Sequence, residues 1–275
     1  MNQQYIMYDH SSVTIIIILF VLIVLANEIG YRVGRFHQNL TDSEHKTLTN
    51  AIQASILGLL ALLLGFTFSM SMARYDNRNH ALIDEVNAIG TSLLRVNLLP
   101  DKYQNESHEL FRKYVDLRVA IGEIDVTNYE ERSAYNNRIG DIQSRLWSIA
   151  ILAADEDPSP AKTGAFIRSL NSLIDYQGKR NALLHMQVPE VVMLLLFTVF
   201  ISTGGMLGYS SGLSGNRVFI PSFLVAFLIA LIVFIIIDLD RPKRGLIQVD
   251  QGLMRELQEY AYDDKNLTGE GVARQ

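Results

Sequence analysis

The stretch GFTFSMSMARYDNRNH, residues 65–80, passes from residues suited to a membrane into charged residues without a break. The residues up to Met72 are apolar or small, whereas Arg74, Asp76 and Arg78 follow within six residues. No proline, glycine pair or cluster of turn-forming residues separates the two parts. Because such residues are what usually ends a helix, the pattern predicts one helix that leaves the bilayer and continues into a water-exposed domain.

The composition of the chain indicates a membrane protein in contact with lipid. Of its 275 residues, 49% are hydrophobic, more than a small soluble domain needs, and the net charge is -5. A net negative chain offers no general attraction to nucleic acid, so we expect no nucleic acid partner. The chain has no cysteine, which excludes disulfides, thiolate metal sites and cysteine nucleophiles.

Four windows approach the roughly 20 apolar residues that a helix needs to cross a bilayer. They are residues 13–31, 51–72, 188–207 and 218–238. The first and last are apolar throughout, while the second also fits a buried soluble helix. A cleaved signal peptide is the alternative for the first window, but no Lys or Arg precedes it and no clear cleavage site follows it.

The lysines and arginines near the span ends predict the orientation of the chain in the membrane. One side of the membrane would carry Arg74, Arg78, Lys179, Arg180, Arg241, Lys243 and Arg244, and the other Arg32, Arg35, Lys46 and Arg217. The richer side faces the cytoplasm under the positive-inside rule. Both termini and the long segment between the second and third windows are therefore predicted to be cytoplasmic.

Residues 74–187 have the apolar spacing of helices rather than the alternation of strands. We expect four antiparallel helices, the first ending at Pro100 and the last beginning with Ser159 as N-cap and Pro160 in the first turn. The sequence thus predicts an all-α integral membrane protein with four transmembrane helices and a cytoplasmic helical bundle inserted between the second and third spans. The predicted parts are an N-terminal segment (1–12), two spans (13–73), the bundle (74–187), two spans (188–238) and a cytoplasmic tail (239–275).

Three segments resemble the hallmark blocks of the bacterial bestrophin-like membrane proteins of unknown function. They are NEIGYRVGR (27–35), LLGFTFSMSMARYDNRNHALIDEVNAIGTSLLR (63–95) and DLDRPKRGLIQV (238–249). The middle block is also distantly similar to bestrophin ion channels, which are pentamers of four-span subunits whose second spans line a narrow hydrophobic neck. The resemblance implies a homopentamer in the bacterial inner membrane that passes inorganic ions.

The resemblance implies that Leu62 and Phe66 occupy neck positions. The chain departs from the channels at Gly58, where they have a bulky residue, and at Asn77 and Arg78, where they have paired tryptophans. The acidic residues after the fourth span are also too sparse to form the calcium clasp of the animal channels. Small residues of the second span that would allow close helix packing are Ser55, Gly58, Gly65 and Ser69.

Two groups of charged residues lie at the ends of the predicted spans. Glu28 and Arg32 stand one helical turn apart, so they either form an ion pair or line an aqueous vestibule. At the predicted cytoplasmic exit, Arg74, Asp76 and Arg78 are followed by Asp84, Glu85 and Asn87, which read either as a solvated helix face or as an interface between subunits.

The exit of the fourth span carries a third charged group, Asp238, Asp240 and Arg241, followed by Pro242 and Gly245. The proline and glycine predict a turn that leads the chain back along the bundle. We expect this block to anchor the fourth span and to contact the Arg74 region.

The sequence contains no recognisable enzyme motif. Its six histidines lack metal-ligand spacing, and we predict no catalytic residue, no metal and no cofactor. The segment GYSSGLSG (208–215) is predicted to be a plain turn between two spans. The leading hypothesis is an oligomeric ion channel or channel-like pore, and the alternative is a non-conducting scaffold or sensor whose cytoplasmic helices bind a protein partner, with a membrane enzyme as the third possibility.

Overall fold

The computed structural model describes residues 11–159, 161–217, 219–242 and 245–263, and among them it contains helices but no strand. The α-helices are α1 (Ser12–His37), α2 (Ser43–Arg95), α3 (Asp101–Glu123), α4 (Tyr129–Glu156), α5 (Thr163–Leu184), α6 (Glu190–Ser214), α7 (Phe219–Asp240) and α8 (Gly252–Tyr262), with a short 3-10 helix over Val96–Leu98. The predicted features at residues 1–10, Pro160, Val218, Lys243 and Arg244 and beyond residue 263 lie outside the described residues.

Four of these helices, α1, α2, α6 and α7, are long and apolar enough to cross a membrane. The prediction of one unbroken helix through residues 65–80 is confirmed, since α2 runs for 53 residues from Ser43 to Arg95. The prediction of a turn over residues 208–215 is wrong. Helix α6 continues to Ser214 and ends at Gly215, whose φ of 74° lies in the left-handed region that glycine tolerates.

The chain divides into two compact units. The span unit comprises residues 11–74 and 187–247, and the bundle unit comprises residues 75–186 and 248–263 among those described. Each unit has its own buried apolar core.

The span unit is built around a close pairing of α1 with α6, against which α7 packs. Its core includes Leu19 and Ile23 of α1, Phe200 of α6 and Ile236 of α7. Helix α2 joins this core through Leu60 and Leu64, which are 5% and 8% exposed. Most of the other apolar side chains in the spanning part of α2 stay exposed in the single chain.

The contact between α1 and α6 is made by glycines. A Cβ placed on Gly204 would lie 2.8 Å from the carbonyl oxygen of Ile23, and one on Gly208 would overlap the carbonyl oxygen of Asn27. From the α1 side, a Cβ on Gly30 would overlap the carbonyl oxygen of Gly205. The obstructing atoms belong to the backbone and cannot rotate away, so these positions of the two helices accept only glycine at this separation.

Gly34 and Gly212 extend the same contact by one further turn of each helix. A Cβ on Gly34 would overlap the carbonyl oxygen of Tyr209, and one on Gly212 would lie 2.7 Å from the backbone nitrogen of Arg35. The side-chain amide of Asn27 also donates to the carbonyl oxygen of Gly204, at 3.1 Å. The NEIGYRVGR block is therefore the α1 half of a helix pair, and GYSSGLSG lies in its α6 half.

The bundle unit contains residues 75–95 of α2 together with α3, α4, α5 and α8. Its largest buried apolar side chains include Phe111 and Tyr114 of α3, Leu146 of α4 and Phe166 of α5. The predicted helices of this segment are present, but Ser159 is not the N-cap of the last one. Helix α5 begins at Thr163 with Lys162 in the cap position.

Helix α8 lies in the segment that was predicted only as a tail. Met254, Leu257 and Ala261 are buried in the bundle core, one turn apart along the helix. Gln258 and Tyr262 donate to the carboxylate of Asp116 on α3, at 2.7 and 2.6 Å. Helix α8 is therefore a packed element of the bundle.

Candidate functional site

The exposed face of α2 contains the residues that the family resemblance assigns to a neck. Leu60, Leu64, Thr67 and Ser71 are buried and recur every three to four residues, which defines the inward face of this helix. Leu62 and Phe66 lie two positions after Leu60 and Leu64, about 200° around the helix. Their exposures of 54% and 63% show that this second face is unpartnered among the described residues of the chain.

The small residues of α2 lie on the same exposed face. Ser55, Gly58, Gly65 and Ser69 are all exposed in the single chain. A Cβ placed on Gly58 or Gly65 would meet no atom within 4 Å. The predicted role of these residues in close helix packing therefore stays a prediction, while the close glycine packing among the described residues is between α1 and α6.

Glu28 is paired on α1 as its spacing predicts, and it has a second partner that the sequence did not suggest. Its carboxylate accepts from Arg32 Nε at 2.9 Å and from Arg217 Nη2 at 2.5 Å. The Arg217 guanidinium also lies over the ring of Tyr31, 5.2 Å from its centroid. Because Arg217 is 189 residues away in the sequence, no local pattern could indicate this contact.

The predicted contact between the Arg74 region and the exit of the fourth span is present. Arg74 Nη1 lies 3.2 Å from Asp240 Oδ1, and the backbone N–H of Val188 donates to Asp240 Oδ2 at 2.9 Å. Asp240 and Arg241 are both only 4% exposed. The carboxylate of Asp240 thus links the ends of three stretches of chain, at residues 74, 188 and 240.

Asp238 organises the turn that follows α7. Its carboxylate accepts the backbone N–H groups of Leu246 and Ile247, at 3.0 and 2.8 Å. A Cβ on Gly245 would lie 2.5 Å from Asp238 Oδ1. The Asp and Gly of the DLDRPKRG segment are therefore required together, because the glycine leaves room for a buried carboxylate that caps the turn.

Arg78 is buried in its own chain, whereas Asp76 is exposed. The Arg78 guanidinium donates to the carbonyl oxygens of Leu183 and Met186, at 3.3 and 3.0 Å. These carbonyl groups lie at the end of α5, where the helix itself supplies no donor for them. Since Arg78 is only 4% exposed, the prediction of a solvated or subunit-facing role for this residue is wrong. Of the predicted exit residues, Asp76 keeps an exposed position.

A buried ion-pair cluster in the bundle unit was missed by the sequence reading, which placed Glu85 only in a charged block. Glu85 is completely buried and forms an ion pair with Arg118. Arg118 Nε lies 2.6 Å from Glu85 Oε1, and Nη2 lies 2.9 Å from Oε2. Arg180 Nη1 reaches the same carboxylate at 2.6 Å, and Arg180 Nη2 donates to Gln251 Oε1 at 2.7 Å. The cluster therefore links α2, α3, α5 and the residue preceding α8.

Burial acts on the pKa of every group in this cluster, but at Glu85, whose pKa is lowered, and at Arg118 the attraction between opposite charges prevails. Burial raises the pKa of Tyr114 above its ordinary value and lowers the pKa of Arg180. Burial also acts to lower the pKa of Arg118, but the Glu85 carboxylate outweighs it and the pKa is raised. Arg118 therefore stays charged in the interior, while the Tyr114 phenol stays neutral.

The described residues contain no group of three or more His, Asp or Glu side chains arranged to hold a metal ion. The candidate functional features of the described residues are the exposed face of α2, the ionic contacts at the ends of the spans and the buried cluster of the bundle. These features define a helical membrane protein with four helices able to span a bilayer.

Comparison with known proteins identifies the family of this membrane protein. The bestrophin-like domain matches residues 20–252, which is most of the chain. The chain belongs to the bestrophin-like family. No curated protein matches the sequence.

Solved structures share the fold at low sequence identity. A variant of a bacterial bestrophin homologue from Klebsiella pneumoniae superposes with a TM-score of 0.65 at 18% identity, covering 94% of this chain and 99% of that one. A second variant of the homologue gives a TM-score of 0.62 at 19% identity, over 92% and 99% of the two chains. A structure described as a membrane protein gives 0.60 at 18% identity, over 92% and 98%.

Proposed function

We propose that the chain assembles into an oligomer, most simply a homopentamer, in which the α2 helices surround an ion pore with a neck of Leu62 and Phe66. The observation that carries the proposal is the unpartnered face of α2. Family membership and the similarity to bestrophin ion channels supply the expected arrangement. In this arrangement ions pass when the apolar neck becomes hydrated, so no charged filter is required.

The residues of this face differ from those that other spans expose. The exposed side chains of α7 are bulky and apolar, such as Phe223, Leu224 and Phe227, as suits contact with lipid tails. The exposed face of α2 instead mixes Leu62 and Phe66 with glycine and serine. Small residues permit close approach of neighbouring helices in membranes, which supports contact between α2 helices of different subunits.

The same proposal extends to location and chemistry. We place the protein in the bacterial inner membrane with both termini and the bundle unit in the cytoplasm, in accordance with the distribution of Lys and Arg. Its partners would be membrane lipid, further copies of the chain and inorganic ions. Glu28, Arg32 and Arg217 would lie at the opposite, external end, and we expect no enzymatic activity.

Flux measurements on the protein reconstituted into liposomes test the pore. The Leu62→Ala and Phe66→Ala double variant should widen and hydrate the neck, so flux should rise or lose its gating. The matched control is the Leu224→Ala and Phe227→Ala double variant, which shortens equally exposed side chains on α7 and should leave flux unchanged. If the native protein and the α2 variant both fail to pass chloride, potassium and sodium while assembled, the alternative of a non-conducting scaffold or sensor replaces the pore.

Particle images of the purified protein test the assembly separately from conduction. Five-fold symmetry with an axial opening is the expected result. Gly65→Leu should weaken the assembly without unfolding the chain, because Gly65 has no neighbour inside the single chain and would meet one only between subunits. Purely monomeric protein in both mild detergent and nanodiscs would exclude the pore.

A further inference from the structure

The buried cluster around Glu85 contains more positive than negative charge. Arg118 is 1% exposed, and Arg132 and Arg180 are each 6% exposed. Among the described residues, the carboxylates that act on these three guanidinium groups are Glu85 and, at Arg132, Asp125. Three cations thus face two carboxylates in the part of the chain that the structure describes, which leaves a surplus of one positive charge there.

The neutral members of the cluster do not remove this surplus. Burial keeps the phenol of Tyr114 protonated, so it contributes no negative charge. Arg132 Nη1 donates to the carbonyl oxygens of Ile121 and Ile124, which carry no charge and so do not balance that of Arg132. A buried charge without a counter-charge is costly in a protein interior, and such sites are normally compensated.

A second, independent observation marks where the compensation belongs. Arg118 Nη2 donates to Glu85 Oε2, and Nε lies 2.6 Å from Glu85 Oε1 in an ion pair that lacks hydrogen-bond alignment, whereas the buried Nη1 has neither a hydrogen-bond partner nor a carboxylate within ion-pair distance among the described residues. A buried guanidinium nitrogen of this kind has two N–H donors to satisfy. Water would satisfy the donors but would leave the charge, whereas an anion satisfies both.

We propose that the bundle unit binds one small monovalent anion, such as chloride, beside Arg118 Nη1. The surplus of one charge matches a monovalent ion, and Nη1, the Arg118 nitrogen with no carboxylate beside it among the described residues, matches a compact ion better than a phosphate group with about two charges and three acceptor oxygens. The site lies within the bundle unit, and its existence does not depend on conduction.

A bound anion would affect the packing of α8, because Arg180 belongs both to the cluster and to a contact with the residue that precedes α8. Arg180 bridges Glu85 and Gln251, and Gln251 immediately precedes α8. Compensating the surplus charge stabilises the arrangement of Arg118 and Arg180 on Glu85, and therefore the attachment of α8. The anion should act as a structural ligand of the bundle.

Crystals of the full-length protein grown in bromide provide the direct test. An anomalous difference peak within hydrogen-bonding distance of Arg118 Nη1 is the expected result. A water molecule or empty space at that position, with bromide only on the protein surface, would overturn the proposal.

Thermal unfolding supplies a readout that needs no crystal, since Trp147 is the only tryptophan and lies in the bundle unit. At equal ionic strength, chloride should raise the apparent melting temperature above that in gluconate by about 3 °C. Glu85→Gln should enlarge this difference because it increases the surplus positive charge.

The control for this experiment replaces Arg118, the residue that carries Nη1, by an apolar residue of similar length. Arg118→Met removes Nη1 and the surplus positive charge together, and it leaves the Glu85 carboxylate paired with Arg180. Its melting temperature should be the same in chloride and gluconate. An equal shift in this variant and the native protein would show a general salt effect and would refute the site, as would the absence of any shift in the native protein.

Discussion

At the scale of single residues, the two aspartates in the last turn of the fourth span, Asp238 and Asp240, are constrained by their contacts. Asp238 and Asp240 are buried, and each holds backbone N–H groups from other stretches of the chain. The loss of a buried acceptor of this kind lowers stability, because the backbone N–H donors and any partner charge are then left buried without a partner. The aspartates therefore act by fixing the chain at the end of α7.

Asp240→Ala should lower the free energy of unfolding by about 1–3 kcal/mol, because Arg74 and the N–H of Val188 lose their shared partner. Asp76→Ala is the control, since it removes the same charge from an exposed position in the same region. Denaturation of the two variants in detergent measures the difference. Equal melting temperatures for both variants and the native protein would contradict the role of Asp240.

His108 makes the bundle sensitive to acid. Burial, and then the nearby Arg112 guanidinium, lower the pKa of its imidazole below the ordinary value. The ring forms a hydrogen bond to Asn97 Oδ1 through Nε2, at 3.2 Å. Among the described residues its buried Nδ1 has no hydrogen-bond partner, so a proton added there would have no acceptor. The unfolded chain therefore binds this proton more readily than the folded chain.

The sign of this effect fixes the expected pH dependence. The contribution of neutral His108 to stability is present above the unfolded pKa of about 6.5 and is lost as the pH falls through that value towards the lower folded pKa. Melting curves at pH 7.5 and pH 5.5 should therefore show a smaller loss of stability for His108→Gln than for the native protein. A larger loss in the variant would show that His108 does not contribute in this way.

At the scale of helices, the pairing of α1 and α6 depends on glycines at matched positions. Gly208→Ala should destabilise the span unit by about 1–3 kcal/mol, because its Cβ would overlap the backbone of Asn27. Gly205→Ala is the matched control, three residues earlier on the same helix, where the nearest atom to the new Cβ is the Ala26 oxygen at 3.7 Å. Thermal unfolding should separate the two variants, and equal values would show that the helices can move apart without penalty.

The elements that could be predicted from the sequence are those with a strong local signal. Long apolar windows and the lack of breakers near Arg74 were sufficient to predict the spanning helices and the continuity of α2. The glycines of residues 208–215 instead suggested a turn, because a small residue that ends a helix in water can serve as a contact surface between helices in a membrane. Helix α8 was missed because its 11 residues carry only a short apolar stripe.

No local sequence pattern indicates which residues form the contacts between distant parts of the chain. The partners of Glu85 are 33 and 95 residues away, and nothing in their own neighbourhoods distinguishes them from surface arginines. The pairing of Arg74 with Asp240 could be anticipated, since both residues lie where a predicted span ends. Leu62 and Phe66 were suggested by family resemblance, and their position in an assembly stays a prediction.

At the scale of the whole molecule, the proposed orientation in the membrane can be tested by labelling. The chain has no cysteine, so single cysteines can be introduced without background. A cysteine replacing Asn105 on α3 should react with an impermeant reagent only after lysis, whereas one replacing Asn216 between α6 and α7 should react in intact cells. Both positions are exposed in the chain. The reverse pattern would place the bundle unit outside the cytoplasm.

The glycine contact between α1 and α6 also has a consequence for the order of events during synthesis. Asn27 and Gly204, which bond across this contact, are separated by 177 residues. At typical translation rates, roughly 10 to 40 seconds pass before the second helix follows the first out of the ribosome. During this interval α1 has to remain in the bilayer with its glycine surface against lipid, while α2 and the bundle helices are being made. We therefore expect the newly made first helix to be held by lipid or by the insertion machinery until its partner arrives, so that slow or interrupted synthesis of α6 exposes the chain to degradation.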